Sequence, residues 1–74
     1  MKHDDFEIRE RIRAKLVQCR KEADLTQAEV GKAVGKSSTA VASWEQGLSL
    51  PDLATYMKLA KLYGRFDDMF NIYD

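Results

Sequence analysis

Few residues in this sequence of 74 could make or break a covalent bond. His3 is the only histidine and Cys19 the only cysteine, so the chain has neither a Cys–His nucleophile pair nor zinc-ligand spacing. The acidic pairs Asp4–Asp5 and Asp67–Asp68 read as helix-start acids, and no third ligand is spaced to join either of them around a metal. No enzymatic role, cofactor or metal is therefore expected. What remains is the stretch Thr26 to Gly47, TQAEVGKAVGKSSTAVASWEQG, rich in hydroxyls and small side chains. Hydroxyls donate and accept hydrogen bonds without reacting, which suits noncovalent recognition.

Two short helices joined by a tight turn must position those hydroxyls. Thr26 can cap the first, because its side chain accepts an otherwise unpaired amide of the opening turn, and Glu29 three residues on completes a capping box. Gly35 follows Val34 where that helix must stop, since glycine takes positive φ at little cost. Ser37 or Ser38 can cap the second helix. Val41 and Trp44 share its inward face, whereas Ser38, Thr39, Ala42 and Ser43 look outward. Gly31 sits inside the first helix at a cost of about 1 kcal/mol against alanine, which a close helix crossing would explain.

The rest of the chain reads as a single all-α domain of five short helices. Residues 4–22 form the first, opened by Asp4 or Asp5, with Ile8, Ile12, Leu16 and Cys19 as its apolar stripe and residues 1–5 as a mobile lead. Phe6 packs back under that helix or against a partner subunit. Pro51 and Asp52 start the fourth helix, whose Leu53, Tyr56, Met57, Ala60 and Tyr63 are expected to close the core, with Lys58 and Lys61 in water. Gly64 stops it, and Asp67 or Asp68 begins the last helix. Cys19 and Trp44 are expected in the core.

Composition agrees with a globular helical protein: 45% of residues are hydrophobic and 32% charged, too apolar for disorder. No apolar run approaches a membrane span, and the N-terminus lacks the apolar core of a signal peptide, so a cytoplasmic chain without a membrane partner is expected. Twelve basic and twelve acidic residues cancel. That balance lowers the expected nonspecific affinity for a polyanion, although local patches outweigh the sum.

The run LTQAEVGKAVGKSSTAVASWEQG, followed by PDLATYMKLAKLYG, resembles the Cro/repressor type of helix-turn-helix domain, the xenobiotic-response-element family, over about Ile12 to Phe70. The resemblance implies a lambda-repressor-like bundle whose third helix, near 37–46, enters the major groove of double-stranded DNA. It implies that Ser38, Thr39, Ala42 and Ser43 meet base edges, and that Thr26, Gln27, Lys36, Ser37 and Gln46 serve the phosphate backbone. It further implies an ion pair between Arg20 and Glu45, tying the first helix to the third. The loop Leu48, Ser49, Leu50 departs from the family, which often carries basic or amide residues there; backbone amides can replace those contacts, or the leucines can cover the core.

The tail is apolar, with Phe66, Met69, Phe70, Ile72 and Tyr73 as a candidate dimerisation patch. Members of such a family commonly dimerise through the last helix, placing two recognition helices about 34 Å apart. Two functions follow. One is a sequence-specific transcriptional regulator acting as a homodimer on a palindromic operator; the other is a protein-interaction module of the same fold, an antitoxin or antirepressor-like partner, with DNA binding secondary.

Overall fold

The computed structural model describes residues 4–72, which form five helices and no strand. They are α1 (Asp5–Glu22), α2 (Gln27–Val34), α3 (Ser38–Gln46), α4 (Leu53–Tyr63) and α5 (Phe66–Phe70). Their boundaries follow from side-chain caps. Asp4 caps α1 by accepting from the Glu7 amide at 2.8 Å, so the helix opens at Asp5. Met1, Lys2 and His3 lie outside the described residues. Ser37 caps α3 and Asp52 caps α4, each accepting from the amide three residues on, at 3.0 and 2.7 Å. The Asp52 carboxyl is held below its usual range by hydrogen bonding with Thr55, first with its side chain and then with its backbone amide.

The core gathers Leu16 and Cys19 from α1, Val30 and Val34 from α2, Val41 and Trp44 from α3, Tyr56, Leu59 and Ala60 from α4, and Met69 from α5. Each large apolar side chain so buried favours the fold by about 1.5–3 kcal/mol. Burial also pushes the Cys19 thiol above its ordinary value.

On α4 the expected inward stripe is corrected. Thr55, Tyr56, Leu59 and Ala60 face the core, while Leu53 and Met57 are 68% and 49% exposed. The helix packs against both α2 and α5, and its buried stripe lies away from the 53–57 edge. α5 starts at Phe66, one residue before the first of the expected acids, and Arg65 ahead of it makes no side-chain cap. Arg65 instead binds Asp68 and reaches across to Glu22 on α1. Three further links hold the end of the chain down. The Tyr56 hydroxyl donates to the Met69 carbonyl, the Tyr56 ring meets Phe70 edge-on, and Arg11 donates to the Ile72 carbonyl at 2.8 Å.

Candidate nucleic-acid interface

Gly31 sets the α2–α3 geometry. A Cβ added there would lie 2.6 Å from the Lys36 carbonyl oxygen and 3.0 Å from backbone atoms of Ser37, so the turn presses on the helix more closely than any side chain permits. Gly35 completes the turn in the left-handed region at φ 75°, and the Lys36 amide donates back to the Gly31 carbonyl at 2.7 Å. At the other end of α2 the capping box is complete: Thr26 Oγ1 accepts from the Glu29 amide at 3.1 Å, and Glu29 accepts from the Thr26 amide at 2.8 Å.

Behind this unit lies a polar cluster joining three helices. Arg20 on α1 donates through Nε to Glu45 Oε2 at 2.7 Å and through Nη2 to Oε1 at 2.9 Å, the two-pronged pairing that a planar guanidinium makes with a carboxylate. Its Nη1 donates to the Leu25 carbonyl at 2.9 Å. Glu45 is 7% exposed, and its hydrogen bond pushes the Arg20 guanidinium above its ordinary pKa. Gln27 joins the cluster, Nε2 donating to Glu45 Oε1 at 3.0 Å.

The outward side of α3 is small and polar. Ser38 and Thr39 are exposed and Ala42 is half-buried. Ser43 is also half-buried, and its hydroxyl bonds to the hydroxyl of Ser49 at 2.7 Å, drawn toward the loop that follows the helix. Lys36, Ser37 and Gln46 are exposed at the two ends of the helix. The hydroxyl of Ser37 is occupied as a cap. The Gln27 amide points at least one hydrogen toward Glu45 and so is not a loose surface group. Leu48 and Leu50 are 73% and 39% exposed and do not cover the core. Leu50 instead lines a shallow apolar dent of about 260 Å³ with Ile12, Pro51, Leu53 and Tyr56.

In the tail, Met69 is 1% exposed and belongs to the monomer's own core, which corrects its placement on a surface patch. Phe66 and Phe70 remain 46% and 48% exposed with their rings stacked at 6.2 Å, Ile72 is half-buried, and Tyr73 lies outside the described residues. Sequence reasoning missed two contacts of the site. The bond from Gln27 to Glu45 spans eighteen residues and leaves no periodic signal. Ser49 pairs with Ser43 across the Gly47 turn, and two serines flanking a helix-ending glycine were the only trace of it.

A capped helix, a glycine-tight turn and a second helix presenting hydroxyls define a helix-turn-helix domain. A family model described as helix-turn-helix matches residues 16–66, and the chain belongs to this family of DNA-binding domains, of the Cro/repressor or xenobiotic-response-element type. Neither the curated proteins nor the solved structures contain a match to it. Among the described residues no helix is long and apolar enough to cross a membrane.

Proposed function

We propose that the protein is a sequence-specific transcriptional regulator that inserts α3 into the major groove and binds a palindromic operator as a homodimer. The observation that carries this reading is the pairing of a rigid α2–α3 unit with an α3 face on which Ser38, Thr39 and Ala42 are left for recognition. Hydroxyls discriminate several base edges, and the methyls of Thr39 and Ala42 can meet a thymine methyl. Ser43 is in reach of the same groove once its bond with Ser49 opens. The α2 N-terminus with Thr26 and Gln27, and Lys36, Ser37 and Gln46 around α3, take the flanking phosphates. The stacked Phe66 and Phe70, in contact with Tyr56 beside the exposed Leu50 and Leu53, support dimerisation, with the half-buried Ile72 following them in the tail.

The exposed Leu48, Leu50 and Leu53 beside a neutral chain favour a second reading, a protein-interaction module of the same fold. Selection from a random duplex library, followed by binding at several salt concentrations, separates the two. A regulator yields an enriched operator whose affinity falls steeply with salt. Absence of any enriched duplex, with no salt-sensitive binding, overturns the regulator reading.

A further inference from the structure

The polar cluster behind α2 is a closed circuit. Arg20 holds the Leu25 carbonyl, one residue ahead of the Thr26 cap, and the Glu45 carboxylate. Glu45 in turn holds Gln27, the first residue of α2. The circuit therefore fixes the start of α2 from both sides, using one guanidinium from α1 and one carboxylate from α3. It also underlies an open groove lined by Arg20, Asp24, Thr26, Gln27, Ala28 and Ser38, where the beginnings of α2 and α3 face each other and one carboxylate stands beside the guanidinium.

An amide nitrogen carries two hydrogens, and Glu45 Oε1 takes one of those on Gln27. A glutamine side chain otherwise samples many rotamers, and ordering it on binding reduces affinity. We infer that Glu45 is a positioning residue for Gln27: it presets the amide so that the second N–H meets a DNA phosphate seated in this groove, and Arg20 acts by presetting Glu45. Ser38 lines the same groove. The inference rests on the DNA-binding reading above. It makes one cluster responsible both for joining α1 to α3 and for the readiness of the backbone contact.

Two measurements on the whole chain test it. In the 15N–1H spectrum of the free protein, the Gln27 side-chain NH2 pair should show one hydrogen shifted downfield by the carboxylate and a cross-relaxation contact to Glu45. In Glu45→Gln both signs should collapse to those of an ordinary glutamine. An unshifted pair in the unmodified protein, or no change in the variant, overturns the positioning. The second measurement is binding to duplex DNA of arbitrary sequence. Gln27→Ala should weaken it by about fivefold at every salt concentration without changing the salt slope, because a neutral donor releases no counterion. Glu45→Gln, or Glu45→Asp should that variant fail to fold, should weaken binding similarly, and the double variant should bind no worse than Gln27→Ala alone. Additive losses overturn the positioning while leaving the DNA-binding reading intact. Loss of salt-sensitive binding in the unmodified protein overturns that reading and the phosphate seat with it.

Discussion

Replacing Arg20 by alanine is the perturbation whose cost the structure sets most clearly. The side chain makes three hydrogen bonds, two to Glu45 and one to the Leu25 carbonyl. Without it, a carboxylate that is 7% exposed keeps only the Gln27 amide as a side-chain partner. Leaving one member of a buried pair uncompensated costs about 3–5 kcal/mol. The low end applies here, because Arg20 keeps 16% of its side chain in contact with solvent and its removal admits water to the carboxylate. A chain of this size has a total stability of about 4–11 kcal/mol, so a loss of about 3 kcal/mol removes a large share of it. Each kcal/mol moves the midpoint of such a small domain by about 4–8 °C, which puts the expected fall in Tm at about 12–24 °C. Thermal melts followed by far-ultraviolet circular dichroism measure it directly. The companion double variant Arg20→Met/Glu45→Leu removes the charge together with its partner and should recover most of the loss. A midpoint within about 4 °C of the unmodified protein, or a double variant as unstable as the single one, refutes the reasoning.

Gly31→Ala should destabilise by about 1–3 kcal/mol despite alanine's better helix propensity, because the added Cβ meets the rigid Lys36 carbonyl at 2.6 Å; an unchanged or raised Tm would show that the turn yields freely. Burial pushes the Tyr56 and Tyr63 hydroxyls up to about 12, above their unfolded value of about 10, so the stability they provide is complete below about pH 10 and is lost as pH rises from there toward 12. Urea midpoints should fall across that window and fall less in Tyr63→Phe, and a flat profile from about pH 9.5 to 11.5 counts against it. Thr39→Ala should reduce the preference for the selected operator over random duplex by about threefold to tenfold at unchanged Tm, whereas equal loss on both duplexes argues against direct readout by this residue.

The elements were legible in the sequence wherever a local rule governed them. Thr26 with Glu29, Gly35 and Asp52 each act within four residues, and the caps stand where those residues put them. The Arg20–Glu45 pair was legible only through resemblance, because its partners lie twenty-five residues apart. Rules fail where packing partners decide. The α4 stripe was read from the helical spacing of its apolar residues, and Leu53 and Met57 drew it to the wrong edge; the actual inward face includes Thr55, a polar residue that apolar spacing would not choose. Met69 looked like part of an exposed apolar tail, yet the bond from Tyr56 to its carbonyl shows α5 folded back with this one side chain inside. Of the α3 positions read as outward, Ser38 and Thr39 are exposed whereas Ala42 and Ser43 are half-buried, and the sequence could not show that the Gln27 amide and the Ser43 hydroxyl already have partners.

The formal neutrality of the chain conceals a division of labour between its two kinds of cation. Four of the five arginines, Arg11, Arg13, Arg20 and Arg65, bind acids or carbonyls of the fold itself, and every ion pair found among the described residues has an arginine as its cation. Lys32, Lys36, Lys58 and Lys61 enter none of these pairs and are exposed on α2, the turn and α4. Lys36 and Lys58 both act on Asp52, which brings the turn lysine close to the start of α4. A guanidinium's fixed fork suits it to structural pairing, whereas an exposed ammonium keeps its hydration and its field. Charges paired inside the fold contribute little beyond a Debye length, so the field that reaches a polyanion near α3 is set mainly by those lysines, the α2 and α3 N-termini and the exposed acids Asp24, Glu29 and Asp52. On the proposed reading, the neutral total confines the electrostatic part of binding to a few phosphates and leaves the remainder to the fit of a small hydroxyl-bearing helix in its groove.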